Sequence, residues 1–244
     1  MFQIALSVRG EKLCVHCLGQ LTKPTKDHVF PSSWYTDDTP NEIQRWTVPS
    51  CVNCNGKFGK LEHELFIRLV PCIDPTKAEA SGIKEKLFRS FGIGESISDA
   101  ERAIRIKKLR GLLKEIQPYK GQKTFPGLGL HKDYPAETQK GMPIPVDYLF
   151  PVLKKIFRGT EYILGKRYIK PPYEINIYHV YEEPPEVSRL IKKYGYSKSL
   201  GPGFEIQRTA SNTGDLVVIY KAIIWGTIIS YASIDLSDRD GAAN

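Results

Sequence analysis

Short runs of apolar positions, separated by polar stretches, dominate the first third of the chain. They predict a leading strand or extended arm over residues 2–8, a short strand over residues 26–31 and a second short strand over residues 46–49. Residues 53–70 instead carry apolar side chains at helical spacing, which predicts a helix whose buried face comprises Phe58, Leu61, Leu65, Phe66 and Leu69. The predicted order in this part of the chain is therefore strand, strand, helix.

Helical spacing dominates the middle of the chain. It predicts helices over residues 76–91, 99–116 and 146–164, with a long loop rich in Gly, Pro and Lys over residues 118–145. Ser98 is a suitable N-cap for the second of these helices, whose apolar face would comprise Ile106, Leu109, Leu113 and Ile116. The third helix would bury Leu149, Leu153, Ile156 and Phe157.

The last third of the chain is typical of β-strands. Strands are predicted over residues 173–181, 204–209 and 216–234, and Gly226 indicates a hairpin or bulge in the last of them. Together these patterns predict an α+β protein: a small ββα module, a helical segment and a C-terminal, mostly antiparallel β region. We divide it into a module of residues 1–75 and a basic α+β domain of residues 76–244.

Positive charge is distributed unevenly over the 244 residues. The net charge is +8, yet residues 1–75 hold eight basic and eight acidic side chains, and residues 76–244 hold the remaining 27 basic and 19 acidic ones. Such an excess favours a polyanionic partner such as nucleic acid. The basic side chains form stripes that are either nucleic-acid contacts or ordinary solvated faces: Lys107, Arg110 and Lys114; Lys154, Lys155 and Arg158; Lys166, Arg167 and Lys170.

No stretch of the sequence predicts a membrane span or a secretory signal. The longest apolar stretch, residues 222–232, is interrupted by Gly226, Thr227 and Ser230, and residues 1–8 lack a basic start followed by a long apolar run. We therefore expect a soluble, cytoplasmic protein that does not bind membranes. The sequence gives no indication of the oligomeric state.

Four of the five cysteines occur as two CxxC pairs: Cys14 and Cys17, Cys51 and Cys54. An odd number of cysteines fits disulfide pairing poorly, and in a reducing compartment paired CxxC units favour a tetrahedral zinc site. Zinc would also stabilise a small unit that contains few apolar residues. The alternatives are reduced thiols packed in a small core, and a site in which His16 replaces one thiolate. Cys72 is predicted to be a buried free thiol.

Between the two cysteine pairs lie residues suited to phosphodiester hydrolysis. Asp27 and His28 are adjacent in a predicted strand, and Asn55 follows the second pair at the start of the predicted helix. A histidine near its ordinary pKa can deprotonate water. Asp and Asn oxygens suit Mg²⁺ or Mn²⁺, which stabilise negative charge on a phosphate. Each residue has a simpler alternative: a surface histidine, a turn aspartate, and an asparagine that only caps the helix.

The order CxxC, Asp-His-x-x-Pro, CxxC-Asn closely resembles the zinc-containing branch of the HNH endonucleases, also called His-Me-finger or ββα-metal nucleases. The matching positions are Cys14, Cys17, Asp27, His28, Pro31, Cys51, Cys54 and Asn55. The resemblance implies that His28 is the general base, that Asp27 and Asn55 bind a catalytic divalent ion, and that the four cysteines bind structural zinc. It covers residues 12–70, less than a third of the chain.

The resemblance has one departure. The family usually places a middle Asn a few residues before the second CxxC pair, where it helps to fix the segment that carries the histidine. Here that position is Trp46, with Arg45 beside it, and Asn41 is the substitute that the preceding loop offers.

The predicted helix offers two further candidates, Glu62 and His63. Glu62 lies two helical turns after Asn55 and would share its face, so its carboxylate could reach a metal ion. Residues 61–64 are, however, more typical of an ordinary solvated face.

The sequence therefore predicts a metal-dependent endonuclease that cuts DNA with a water molecule activated by His28. The alternative is a catalytically inactive zinc-ribbon module that binds nucleic acid or protein. RNA is not excluded as the substrate. Residues 76–244 contain no motif that assigns them a role, and nucleic-acid contact is the role that their basic stripes suggest.

Overall fold

The computed structural model describes residues 12–74, 76–93, 97–121, 124–125, 128, 133–180, 182–209 and 217–236. The strand predicted over residues 2–8 lies outside these ranges.

The first part of the chain has the predicted order of strand, strand and helix. Strands β1 (Thr25–His28) and β2 (Thr47–Ser50) pair antiparallel, with Asp27 opposite Val48. Helix α1 (Val52–Leu69) follows at once, and the Cys51 side chain accepts a hydrogen bond from the Cys54 backbone N–H at its start. This short connection places the end of β2 and the first turn of α1 next to each other.

The middle of the chain confirms one predicted helix and corrects another. Helix α2 spans only Ile83–Ser90, because Gly82 adopts a φ of 73° and separates it from a 3₁₀ turn at Ala78–Ala80. Helix α3 (Asp99–Glu115) begins as predicted, with the Ser98 hydroxyl accepting from the Glu101 N–H at 3.2 Å. Its predicted apolar face is correct in part, since Leu109 packs against the core, and wrong at Ile106 and Leu113.

Leu112 is the buried leucine of α3, whereas Leu113 is 54% exposed and Ile106 is 38% exposed. Helical spacing alone could not locate this face, because the apolar residues of α3 are spread around the helix. Two-residue strands β3 (Gln117–Pro118) and β4 (Lys140–Gly141) pair within the region predicted as a loop.

Helix α4 (Val146–Thr160) buries the face that its spacing predicts: Leu149, Leu153, Ile156 and Phe157. A π-helical turn, Glu161–Gly165, continues it, and Lys166 ends it in the left-handed conformation. A proline within the helix, Pro151, lies in its first half. Helix α4 packs against α1, and so joins the C-terminal part of the chain to the first part.

The C-terminal part forms a five-stranded antiparallel sheet in the order β5-β9-β8-β7-β6. Its elements are β5 (Ile175–Tyr178), α5 (Pro185–Tyr194), β6 (Gly195–Gly201), β7 (Phe204–Thr209), β8 (Val217–Ile224) and β9 (Ile228–Asp235). The hairpin predicted around Gly226 is confirmed, with a φ of 61° at that glycine. The sequence did not indicate α5 or β6, since residues 195–199 of β6 are exposed and carry no apolar alternation. The mixed α+β class is confirmed.

Buried side chains from both predicted units belong to one continuous cluster, from Val15 to Leu236. Trp34 and Trp225 join them, with ring centroids 5.0 Å apart and the Trp225 indole N–H donating to the Trp34 carbonyl at 3.0 Å. The division at residue 75 stays a prediction, but the described residues on its two sides share a core.

A buried ionic cluster connects α4 to the sheet. The Glu161 carboxylate accepts from Arg208 at 2.8 and 3.1 Å, from Arg167 at 2.5 Å, and from the Tyr220 hydroxyl. Because Glu161 has no solvent-exposed surface, these partners replace its hydration. Arg167, predicted as part of a basic stripe, is therefore an interior partner rather than a surface contact.

Among the helices that the structure describes, none combines the length and the apolar content that crossing a bilayer requires.

Candidate active site and metal centre

Four cysteine sulfurs form a compact cluster at the start of α1. The Sγ atoms of Cys14, Cys17, Cys51 and Cys54 all lie within 4.8 Å of one another, and those of Cys17 and Cys51 are 3.9 Å apart. Ligands about 2.3 Å from a tetrahedral zinc ion lie about 3.8 Å from one another. The four sulfurs therefore have the spacing that a tetrahedral thiolate site requires, and could hold a metal ion such as zinc.

Local backbone hydrogen bonds shape the first cysteine pair. The Cys14 N–H donates to the Gly19 carbonyl and the Leu18 N–H to the Cys14 carbonyl, both at 2.9 Å, while Leu18 adopts a φ of 62°. The Val15 N–H donates to the Pro49 carbonyl of β2 at 3.0 Å. The turn is thus attached to β2 just before the second cysteine pair, which brings the two pairs together.

The electrostatics of the cluster favour a bound cation. Burial opposes ionisation of Cys14, but hydrogen bonds from the Cys51, Cys17 and His16 backbones and the Ser50 hydroxyl outweigh it and lower the pKa of the thiol to about 6. Burial and the neighbouring thiols raise the pKa of Cys54 instead. Thiolates packed this closely repel one another, and a cation among them removes that repulsion.

His16 is not part of the four-sulfur group, so the alternative in which it replaces a thiolate is not supported. Its Nε2 lies 2.9 Å from Asp27 Oδ2, and its ring packs edge-on against Phe58. Burial lowers the pKa of His16, which favours a neutral ring that donates its Nε2 proton to Asp27. Cys72 is an exposed residue, so its prediction as a buried thiol is wrong.

A pocket of about 310 Å³ opens beside the cluster, and the three predicted catalytic residues all line it. Asp27 and His28 reach it from β1, and Asn55 reaches it from the first turn of α1. Glu62 and His63 line it from farther along α1. The short distance in sequence between β2 and α1 explains why residues from the strand pair and the helix share one cavity.

Asp27 is held at both carboxylate oxygens. Oδ2 accepts from His16, and Oδ1 lies 2.9 Å from the Lys155 ammonium. Burial would raise the pKa of Asp27, but the His16 hydrogen bond and the Lys155 charge outweigh it and lower the pKa below its usual value. Asp27 is therefore an ionised, oriented carboxylate rather than a turn residue.

Asn55 is oriented by a side chain of β1. Its Nδ2 donates to Thr25 Oγ1 at 3.1 Å, and Thr25 donates in turn to the Ser50 carbonyl at 2.8 Å. This arrangement leaves the amide oxygen of Asn55 as an acceptor. The alternative in which Asn55 only caps the helix is wrong, because Cys51 is the N-cap of α1.

His28 is half-buried at the end of β1. Burial lowers the pKa of its imidazole, and the nearby Lys155 charge lowers it further. Its Nδ1 is buried and has no hydrogen-bond partner among the described residues. The ring is therefore neutral at physiological pH and can accept a proton.

Two further residues complete the site: Lys155, which the sequence did not assign to it, and Glu62, which the sequence offered as a candidate metal ligand. Lys155 of α4, predicted as part of a basic surface stripe, is 1% exposed, and its Nζ lies 2.5 Å from Glu62 Oε1 and 2.5 Å from the His28 carbonyl oxygen. Glu62 is buried as well, so the solvated face favoured for residues 61–64 is wrong at this position. Helical spacing in α4 could have indicated the burial of Lys155. It lies three residues after Val152 and four before Gly159, and both of these residues are on the buried face.

The position that the resemblance assigns to a middle Asn has a different environment. Trp46 is buried, and its backbone carbonyl accepts from the Val29 N–H at 2.9 Å. Asn41 is exposed. Among the described contacts, the His28 backbone is held by pairing with β2 and by Lys155.

A comparison with protein-family models gave no match, and searches of curated proteins and of solved structures gave no significant match. The chemistry of the pocket therefore has to be argued from its own residues and their geometry.

Proposed function

We propose that the chain is a metal-dependent endonuclease that hydrolyses phosphodiester bonds in DNA, with His28 as the general base. The observation that supports this most is that Asp27, His28 and Asn55 line a single pocket next to the four-cysteine cluster. These residue types combine a proton acceptor with two hard oxygen ligands, which hydrolysis of a phosphodiester needs.

The proposed base has the required protonation state and access. His28 is neutral, half-buried and in contact with the pocket, so its imidazole can take a proton from water. Its backbone is held by Lys155 and by pairing with Thr47 of β2, which limits its movement.

Asp27 and Asn55 are the residues that would hold a divalent ion. The Asp27 carboxylate is ionised, and Asn55 retains an oxygen acceptor because Thr25 accepts from its NH₂ group. Oxygen donors of this kind suit Mg²⁺ or Mn²⁺. Such an ion, when bound, stabilises the charge that develops on the phosphate and on the leaving oxygen.

We assign structural zinc to the cysteine cluster. Four thiolates would fill the coordination shell of a zinc ion and would leave no position for water, which is typical of structural rather than catalytic zinc. The cluster instead holds β2 and α1 together at the edge of the pocket. A site built from free thiols also agrees with a reducing compartment such as the cytoplasm.

The charge around the pocket suits a nucleic acid. Lys57 and Lys60 are exposed on the first turns of α1, Lys26 is exposed on β1, and the start of α1 adds the partial positive charge of a helix N-terminus. On α3, Lys107, Arg110 and Lys114 are exposed as well, and could contact a phosphate backbone.

The test compares His28→Ala with the unaltered protein in a Mg²⁺- or Mn²⁺-dependent plasmid nicking assay. We expect the substitution to lower the nicking rate about 10²- to 10⁴-fold, because it removes the proton acceptor. Zinc content and the melting temperature should stay close to those of the unaltered protein. His179→Ala is the matched control, since the His179 ring packs against Phe125 and Phe150 outside the pocket.

Two results would contradict the proposal: no cleavage of DNA by the unaltered protein with either ion, or equal cleavage by His28→Ala. Binding of nucleic acid without cleavage, unchanged in His28→Ala, would favour the inactive zinc-ribbon module. Incubation with an RNA substrate under the same conditions decides whether the protein also cleaves ribose-containing strands.

A further inference from the structure

The Lys155 ammonium is enclosed by acceptors from the first part of the chain. Its side chain has no solvent-exposed surface, and Nζ lies 2.9 Å from Asp27 Oδ1, 2.5 Å from Glu62 Oε1 and 2.5 Å from the His28 carbonyl oxygen. An ammonium has three hydrogens to donate, so these three acceptors match its donors.

A buried lysine is costly unless its charge is compensated, and an apolar side chain of similar size would fit α4 without that cost. Here the compensation comes from two carboxylates that line the same pocket. With both ionised, the cluster of Asp27, Glu62 and Lys155 carries one net negative charge. These three side chains therefore keep an attraction for a further cation, whereas the exposed Lys26 lies on the lining of the same pocket.

The position of the ammonium restricts where that cation can bind. Because Nζ lies between Asp27 Oδ1 and Glu62 Oε1, a divalent ion that bridged these two oxygens would have to replace it. The Asn55 amide oxygen, which also lines the pocket and makes no contact with Nζ, is then the second ligand that an ion bound to Asp27 would take. The same ammonium holds the His28 carbonyl, so one side chain fixes the backbone of the base and the carboxylate beside it.

Helix α4 can bring Lys155 this close because of a glycine one turn later. A Cβ atom on Gly159 would lie 2.8 Å from Val29 Cγ2, closer than side chains tolerate. The helix thus approaches the segment after β1 directly, and the lysine reaches the interior of the first part of the chain.

We propose that Lys155 is a positioning residue of the active site: a fixed internal cation that orients Asp27 and directs a divalent ion to Asn55 instead of Glu62. This inference rests on the proposed nuclease function. It also makes the site dependent on a residue outside the region that resembles HNH endonucleases.

The test compares the unaltered protein, Lys155→Met, Asn55→Ala and the double variant that carries both substitutions. Mn²⁺ binding to each protein is measured by electron paramagnetic resonance. In the protein with Lys155, we expect Asn55→Ala to weaken Mn²⁺ binding about tenfold, because it removes a ligand. In Lys155→Met, Mn²⁺ should bridge Asp27 and Glu62, so its affinity should rise and should no longer depend on Asn55. Nicking by Lys155→Met should fall about 10- to 100-fold.

Lys84→Met is the control, since Lys84 is an exposed residue of α2 away from the pocket, and it should leave both measurements unchanged. If Lys155 only stabilised the fold, Lys155→Met would lower the melting temperature and leave Mn²⁺ binding and nicking by the folded protein unchanged. A folded Lys155→Met protein with unaltered Mn²⁺ affinity, unaltered dependence on Asn55 and unaltered nicking would therefore overturn the inference.

If Lys155→Met does not fold, the Glu62→Gln/Lys155→Met double variant removes one charge of each sign and avoids an uncompensated buried carboxylate. We expect its Mn²⁺ affinity to depend on Asn55 again, since the competing carboxylate is gone, and its nicking to stay below that of the unaltered protein, since Asp27 still lacks its ammonium partner. Full nicking by this variant would refute the role of Lys155 in orienting Asp27. Failure of the unaltered protein to bind Mn²⁺ and to nick DNA would instead refute the proposed function itself.

Discussion

Single hydrogen bonds orient the side chains of the pocket. Thr25 is the clearest case, since its hydroxyl accepts from Asn55 and donates to the Ser50 carbonyl at the end of β2. An amide can present either its oxygen or its NH₂ group to a ligand, and only the oxygen can bind a metal cation. Thr25 thus selects the rotamer of Asn55 that the proposed function needs.

Thr25→Val tests this selection with little change in side-chain shape. We expect nicking to fall about tenfold, because Asn55 loses the acceptor that holds its NH₂ group. The free energy of unfolding should fall by about 1–2 kcal/mol, because two hydrogen bonds are lost. Urea denaturation and the plasmid assay measure the two effects.

Thr25→Ser is the matched control, since it keeps the hydroxyl and should retain most of the activity. Equal nicking rates in the Val and Ser variants would show that the hydroxyl does not orient Asn55.

At the scale of elements, the start of α1 has two tasks. Cys51 is its N-cap, through the hydrogen bond between Sγ and the Cys54 N–H at 3.3 Å, and it also belongs to the four-cysteine cluster. A bound metal ion would therefore hold the first turn of α1 against β2 and against the turn that contains Cys14 and Cys17.

Cys51→Ser separates these two tasks, because serine is a good N-cap but a poor zinc ligand. We expect the variant to lose its zinc and to unfold around the cysteine cluster. Binding of structural zinc contributes about 10 kcal/mol or more, which is comparable to the whole stability of a typical domain. Zinc content and amide hydrogen exchange measure the outcome.

Cys72→Ser provides the comparison, since Cys72 is exposed and lies outside the cluster. A compact, soluble and metal-free Cys51→Ser protein would contradict the assignment of structural zinc.

At the scale of the whole molecule, the cysteine cluster and the five-stranded sheet are joined by one core. Helix α4 and the π-helical turn after it are the connection: Lys155 contacts Glu62 of the pocket, and Glu161, six positions on, belongs to the ionic cluster that contains Arg208. Trp225 adds a second junction through Trp34. We therefore expect the sheet and the cysteine cluster to lose their structure together on heating.

Glu161→Gln tests this coupling from the side of the sheet. It should lower the free energy of unfolding by about 3 kcal/mol, because it leaves the buried Arg208 guanidinium without its counter-ion. The melting temperature should fall by roughly 6–12 °C for a chain of this size. If the sheet and the cysteine cluster share one core, the temperature at which zinc is released to a colorimetric chelator should fall by the same amount.

Glu183→Gln removes a more exposed ion pair with Lys221 and should change the stability by less than about 1 kcal/mol. If Glu161→Gln releases zinc at the same temperature as the unaltered protein, residues 1–75 and residues 76–244 unfold independently. That result would favour the predicted domain boundary at residue 75.

Local patterns in the sequence were sufficient to predict those features that depend on residues close together in the chain. The spacing of the cysteines indicated the four-sulfur cluster, helical spacing located α1 and the buried face of α4, and Gly226 marked a hairpin. These features are set by the geometry of a turn or a helix, which a few adjacent residues determine. The placement of Asp27, His28 and Asn55 around one pocket also follows, since a short strand pair and a helix bring them together.

The tertiary structure decided which charged residues lie inside. Lys155, Glu62 and His16 have polar side chains that are typical of a surface, and no local pattern pairs them with Asp27 or with one another. Lys155 and His28 are 127 positions apart in the chain, and Lys155 and Glu62 are 93 apart. Burial of such groups becomes favourable only when the packed fold supplies their partners. The sequence by itself therefore determined the candidate catalytic residues, and the packing of α4 against α1 determined how they are held.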